Sequence, residues 1–246
     1  MIYAGPGGFE RSEMLAPALL LAEPGASISC HFDGGREVSS PCIKHPAGKW
    51  STATATNIVI VYFDPLSFAG RAIQTYSDNS EARSIPFATS IYEEYFHQLI
   101  SGNINAREVI ALVQKLGEDL TKGVKPPHLD RRVAIVANDL AENSAGRLDL
   151  KRLSALISTS PERLRHLFKS QVNMTLSKYK SWRQLYTMSC HILRTCGGEY
   201  DWTTSPALQQ AGFYDDAHGY RTLSQYFGAR ASLTELHLNL VDCTEA

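Results

Sequence analysis

The chain has 246 residues, of which 43% are hydrophobic and 20% charged, and its formal net charge at pH 7 is −1. This length predicts two domains, and the nearly neutral charge excludes a general nucleic-acid coat protein, which needs a basic surface throughout. Five scattered cysteines without a CxxC pair, no apolar run of about 18 residues and no secretory-signal pattern predict a cytoplasmic protein with free thiols and no membrane partner.

Up to about Gln74 the chain alternates short apolar runs with turn residues, which is typical of a small all-β sandwich or barrel. Strands are predicted at residues 15–21, 28–32 and 57–63, and the third is β-branched and aromatic almost throughout. This β region has only two isolated histidines, His31 and His45, and two imidazoles without further ligands do not make a metal site. We therefore expect no metal and no cofactor.

Two common motifs of enzyme sites are missing from the sequence. The glycine-rich stretch at residues 5–8 lacks the Gly-Lys-Ser/Thr of a phosphate-binding loop, and no Gly-x-Ser-x-Gly nucleophile elbow appears. We therefore expect that the protein is not an enzyme.

Residues 85–124 change to helical periodicity and end before a stiff break at Lys125-Pro126-Pro127, which marks the best domain boundary. The apolar side chains of this segment exceed what a small barrel can cover. We therefore expect a homodimer whose surface includes the apolar residues Tyr92, Phe96, Val109 and Leu116.

Residues 150–172 read as a helix-turn-helix unit. Leu150, Leu153, Leu156 and Ile157 recur at helical spacing and predict one buried face. Ser160 and Pro161 then suit the N-cap and first position of a second helix. That helix is expected to bury its apolar residues and to turn four basic ones outward, namely Arg163, Arg165, His166 and Lys169. Such a pair of helices places side chains in a DNA major groove.

A second unit is predicted at residues 203–227, with Gly212 at the turn and the second helix beginning near Asp215 or Asp216. This helix is expected to carry Tyr220 and Arg221 outward. Gly219 in its interior is expected to cost roughly 1 kcal/mol relative to alanine and to give up packing.

A long helix connects the two units, with apolar residues at helical intervals: Leu176, Tyr179, Trp182, Leu185, Met188 and Ile192. About 20 helical residues span about 30 Å, close to the ~34 Å between successive major-groove faces. One chain can therefore dock both units. Three cations near the start of this connecting helix, Lys178, Lys180 and Arg183, suit either phosphate contacts or ordinary surface charge.

The segments S-P-E-R-L-R-H-L-F-K (160–169), Y-K-S-W-R-Q-L (179–185) and A-G-F-Y-D-D-A-H-G-Y-R (211–221) resemble the DNA-binding domain of AraC/XylS-family bacterial transcription regulators. The resemblance implies a DNA-binding domain at 128–236, a cupin-like β sensor at 1–84 and a helical linker or dimerisation segment at 85–124. The chain departs from the family at three places, with Asn173 for glycine, Gly219 for a large apolar residue and Arg230-Ala231 for Ser/Thr-Pro.

This resemblance predicts an α+β fold and a sequence-specific regulator of bacterial transcription controlled by an effector or partner at its N-terminal domain. Residues 128–234 carry 14 Lys and Arg against 9 Asp and Glu, so the positive charge lies where the motif lies. The expected DNA-binding residues are Arg163, Arg165, His166, Lys169, Tyr220 and Arg221. The sequence assigns no effector-binding residue.

The expected partners are double-stranded promoter DNA, a small apolar or aromatic effector, a second copy of the chain and RNA polymerase. The effector class follows from a barrel that is lined by Leu, Ile, Tyr and Phe. An alternative is a regulatory interaction protein that has lost DNA reading and pairs with another regulator. Gly219, Asp216 and the missing Ser/Thr-Pro motivate that alternative.

Overall fold

The computed structural model describes residues 2–75, 83–84, 90–101, 103–121, 125–126, 128–143, 147–196 and 205–227. An antiparallel β half comes first in the chain and a helical half follows. The strands are β1 (Ile2–Pro6), β2 (Phe9–Glu13), β3 (Ala18–Ala22), β4 (Ile28–Phe32), β5 (Arg36–Ser40), β6 (Cys42–His45), β7 (Trp50–Thr54), β8 (Asn57–Tyr62) and β9 (Arg83–Ser84).

The strands form two antiparallel sheets with the orders β1-β8-β3-β6-β9 and β2-β7-β4-β5. This interleaved order is the jelly-roll arrangement of two Greek keys, to which cupins belong. The predicted fold class, a small cupin-like β-barrel with a helical C-terminal domain, is confirmed. The predicted strands at 28–32 and 57–63 correspond to β4 and β8, whereas the first begins only at Ala18.

The first sheet is apolar on both faces, because it lies between the second sheet and a layer of helices. Successive side chains of a strand point to opposite faces. Leu20 and Ile60 therefore join Ile28 of the second sheet in one cluster, while Leu19 and Val61 join a second cluster with the helices. These helices are α1 (Phe68–Thr75), α2 (Ser90–Ser101) and α3 (Ala106–Thr121).

The helices α2 and α3 turn their apolar residues inward, which overturns one expectation. Tyr92, Phe96, Val109 and Leu116 are at most 3% exposed and pack in the cluster on the first sheet of their own chain. The prediction that these side chains form a dimer surface is wrong, because the outer face of the sheet already covers them.

The helical C-terminal half packs its core directly onto the interior of the barrel. Its helices are α4 (Arg131–Glu142), α5 (Leu150–Leu156), α6 (Pro161–Val172), α7 (Leu176–Cys196), α8 (Ser205–Gln210) and α9 (Asp216–Phe227). Leu164, Phe168 and Trp182 belong to the same apolar cluster as the barrel residue Tyr62. No helix of the described residues is both long and apolar enough to cross a membrane.

Candidate nucleic-acid interface

The helix α6 is fixed at both ends by its own capping residues, as predicted. The Ser160 hydroxyl accepts from the backbone N–H of Arg163 at 3.2 Å, and Pro161 occupies the first turn. At the other end Asn173 adopts a left-handed conformation with φ 56°, and its N–H donates to the carbonyl of Lys169. Asparagine is the residue that best replaces glycine at such a cap, so this departure from the family leaves the helix intact.

The outer face of α6 is a basic stripe. Lys169 lies four residues after Arg165 and three after His166, and all three are exposed, while Leu164 and Phe168 are fully buried on the opposite side. Residues at this spacing share one face of a helix. Glu162 belongs to the same stripe, and its Oε1 lies 3.6 Å from Nη1 of Arg165. An exposed pair of this kind contributes little, so the guanidinium stays available to a ligand.

Arg163 is also exposed, but it lies at the edge of this stripe, about 60° around the helix from His166. The structure therefore brings three of the four predicted α6 residues together and sets the fourth to one side.

The helix α5 is tied to α4 rather than buried along its whole apolar face. Arg152 Nη1 donates to Asp139 Oδ1 at 2.8 Å, and this hydrogen bond lowers the pKa of the Asp139 carboxyl. Leu153 is buried as expected, whereas Leu156 is 47% exposed. The prediction of Leu156 as a core residue is wrong, because α5 ends there and the chain turns away through Ser158, which has φ 50°.

An open groove of about 560 Å³ runs beside the starts of α5 and α6. Its lining includes Arg147 and Lys151 together with Arg165 of the basic stripe. Sequence reasoning missed these two cations, although their place just before and just inside the first helix of the unit was a usable signal. They add positive charge beside α6, which Asp149 and Glu162 in the same lining partly offset.

The second unit folds as its turn chemistry predicts. Gly212 has φ 76°, and its carbonyl accepts from Nε2 of Gln184 on α7 at 2.7 Å. Asp215 is the residue that caps α9, since its Oδ1 accepts from the backbone N–H of His218 at 2.6 Å. Tyr220, 42% exposed, and Arg221 lie on the outer side of α9, as expected.

Gly219 is not a packing defect. It lies buried where α9 crosses α8, and a Cβ placed there would stand 2.5 Å from Cδ2 of Leu208. Leu208 is fully buried and occupies the space that a larger residue would fill. The expected loss of packing is wrong, because the bulk at this contact is supplied by the leucine.

The linker helix α7 has 21 residues, about 30 Å of helix. Tyr179, Trp182 and Leu185 are buried as predicted, and the side chain of Ile192 lies outside the described residues. Two of its early cations bind the barrel: Lys178 pairs with Glu13, and Arg183 Nη1 lies 3.5 Å from Asp64 Oδ2.

The two histidines of the barrel lie in different surroundings. His45 is fully buried, with Nε2 2.7 Å from the Ser51 hydroxyl and Nδ1 2.9 Å from the Pro46 carbonyl. Burial lowers the pKa of His45 to about 4, so the ring is neutral near pH 7. His31 is exposed beside Glu37 at 3.6 Å. Within the described parts of the chain, no three His, Cys, Asp or Glu residues are grouped to hold a metal ion.

The chain is similar to known proteins in fold rather than in sequence. No protein-family model and no curated protein matches it. Solved structures of ToxT, an AraC-family regulator from Vibrio cholerae, do match. ToxT of strain O395 superposes with a TM-score of 0.60 over 96% of both chains at 12% identity.

Two ligand-bound ToxT structures superpose in the same way. The complex with (E)-4-(8-methylnaphthalen-1-yl)but-3-enoic acid gives a TM-score of 0.59 at 10% identity over 96% of this chain and 97% of the other. The wild-type protein of strain SCE256 bound to an unsaturated fatty acid gives 0.54 at 10% identity over 98% and 96%. The chain therefore has an AraC-like fold over the length that superposes.

Proposed function

We propose that this chain is a sequence-specific DNA-binding transcription regulator that uses α6 and α9 as its reading helices. The observation that carries the proposal is the exposed basic stripe of α6, which lies on the second helix of a unit joined by α7 to another such unit. The fold shared with an AraC-family regulator over 96% of the chain supports it.

The proposal gives the basic residues different tasks. Arginine binds guanine through O6 and N7 in the major groove, so Arg165 and its neighbours His166 and Lys169 are the base-reading residues. Arg163, Arg147 and Lys151 lie beside the stripe, where phosphate contacts position the protein without reading sequence. Tyr220 and Arg221 act from α9.

The proposal assigns each domain the role that the sequence predicts. Residues 1–84 sense, 85–124 connect, and 128–236 bind promoter DNA with units at 150–172 and 203–227. A homodimer and a contact with RNA polymerase belong to the same proposal, without an assigned surface.

The effector that we propose is a small apolar carboxylic acid. Both ToxT ligands named above are apolar acids. In this chain the barrel interior and the core of the helical half form one apolar cluster, and the rings of Tyr62 and Trp182 lie 6.1 Å apart across it. A ligand that displaces the barrel side of this cluster therefore moves α7.

The DNA proposal is tested by selecting bound genomic fragments with the purified protein at low and physiological salt. We expect a defined site to be enriched and the variant Arg165→Ala/His166→Ala to lose it, since a base-reading pair contributes about 1–3 kcal/mol of discrimination. The matched control is Arg107→Ala/His97→Ala, which removes the same residue types from exposed positions on α3 and α2. Equal loss in both variants would contradict a reading role for α6.

The effector proposal is tested by thermal unfolding with a monounsaturated fatty acid and with its methyl ester. A ligand at 100 times its Kd stabilises the fold by about 2.7 kcal/mol. We expect the acid to raise Tm and the ester to have a smaller effect. No shift with either compound would remove this effector class.

Gly219 no longer supports the alternative of a regulatory interaction protein without DNA reading, because Leu208 fills the space beside this glycine. Folded protein that enriches no DNA fragment, with or without the acid, would favour that alternative.

A further inference from the structure

Glu13 links the barrel to both the linker helix and the second reading helix. It lies at the end of β2, and its side chain is only 3% exposed. One carboxylate oxygen accepts from Lys178 in the first turn of α7, and the other accepts from Nε2 of Gln225 on α9 at 3.1 Å. A buried carboxylate is stable only when it is paired and hydrogen-bonded, so Glu13 depends on the helical half staying docked.

Asp64 makes a second link of the same kind, just after β8. Its Oδ2 lies 3.5 Å from Nη1 of Arg183 and from Nε1 of Trp182. Its other oxygen accepts from the backbone N–H of Leu66 at 2.8 Å, which fixes the carboxylate in place. The two barrel carboxylates thus bind two cations of α7, separated by five residues.

The contacts also reach the proposed DNA face of α9. Gln225 is exposed and lies one helical turn after Arg221. The strand β2 therefore stands next to the side chains that α9 would present to DNA. A cation that is bound to a carboxylate does not neutralise a phosphate, and each phosphate contact contributes about 0.9 to the salt dependence of binding.

We propose that Glu13 and Asp64 form an autoinhibitory acidic clamp, which holds Lys178 and Arg183 away from DNA phosphates and holds α9 against the barrel. The conformation described above is then the low-affinity state. Effector or partner binding to the barrel opens the clamp and frees both cations. This inference rests on the proposed DNA-binding function and names the regulation of that same interface.

The clamp is tested with the variant Glu13→Gln/Asp64→Asn, called the released variant below. Its asparagine still offers Oδ1 to the backbone N–H of Leu66. DNA affinity is measured by fluorescence anisotropy across a salt series on the selected site. Two freed phosphate contacts steepen the slope of log K against log[salt] by about 1.8, which amounts to about thirtyfold tighter binding at 0.15 M salt relative to equal binding at 1 M. The charge control, Glu37→Gln/Glu118→Gln, removes the same charge at exposed positions outside the clamp.

A second pair of variants tests whether the gain passes through the two cations. Adding Lys178→Gln/Arg183→Gln to the released variant should abolish its gain in affinity and in slope, and the same two changes in the wild type should leave the slope almost unchanged. A released variant that binds no more tightly than the charge control overturns the clamp. So does a gain that survives loss of both cations.

Hydrogen exchange separates failure of the clamp from failure of the proposed function, because it needs no DNA. We expect faster exchange in β2 and α9 of the released variant and no change in the charge control, with far-UV circular dichroism confirming that both are folded. Unchanged exchange overturns the clamp. If exchange rises but neither wild type nor variant binds any fragment, the proposed function fails and the inhibitory role of the contact fails with it.

Discussion

Substituting Gly219 by alanine should show that α8 and α9 are matched to each other by size. An added Cβ would stand 2.5 and 2.8 Å from the two methyl carbons of Leu208, about 1 Å closer than an ordinary carbon–carbon contact. Overpacking of a buried contact costs about 1–3 kcal/mol, and the helix propensity of alanine returns about 1 kcal/mol. We expect Gly219→Ala to lower the free energy of unfolding by up to about 2 kcal/mol.

The decisive quantity is the coupling between the two positions. Leu208→Ala alone should cost about 2–5 kcal/mol, because it empties a buried site. In the Gly219→Ala background the same truncation also relieves the overlap, so its cost should fall by about 1–3 kcal/mol. Urea denaturation of the two single variants and the double variant measures this coupling. Additivity within about 0.5 kcal/mol would refute the size match.

Two further predictions concern a buried histidine and a helix cap. The folded-state pKa of His45, about 4, lies below the value of 6.5 for the exposed group, so the unfolded chain binds a proton more readily between these values and stability falls as pH drops from 6.5 towards 4. The free energy of unfolding should therefore be about 2 kcal/mol lower at pH 5 than at pH 7. Urea titrations at both pH values should show that His45→Gln removes this difference. An equal pH dependence in wild type and variant would exclude His45 as its source. Asp215→Ala should cost about 1 kcal/mol through loss of the α9 cap, whereas Asp215→Asn should cost little because asparagine caps equally well; thermal unfolding of the pair would contradict the capping role if both variants lost the same stability.

Local patterns predicted the parts of the fold that depend on local chemistry. The repeats of α2, α3 and α7 are long enough to show helical periodicity, and the caps of α6 and α9 are formed by neighbours in sequence. The helix α1 was not predicted, because it has only eight residues and contains a glycine. Gly70 is needed there, since a Cβ would overlap the carbonyl of Asp64. The strands β5 and β7 are too polar to predict from apolar alternation, and their partners in the sheet are β4 for β5 and the more distant β2 and β4 for β7.

The candidate site divides in the same way. The basic stripe of α6 follows from helical spacing alone, and the structure turns it outward. Glu13 gave no signal, because it stands in the polar run FERSE and its partners lie 165 and 212 residues away in the chain. The homodimer surface was predicted wrongly because periodicity shows that a face is apolar but not which surface covers it.

The central claim, that one chain reads DNA through two units, is tested most directly by hydroxyl-radical footprinting of the purified protein on its selected site. With α7 spanning about 30 Å, the account predicts two protected segments on one face of the duplex, about one helical turn apart. Arg165→Ala/His166→Ala should weaken one segment and Tyr220→Ala/Arg221→Ala the other. A single protected segment that only the α6 variant removes would contradict the claim.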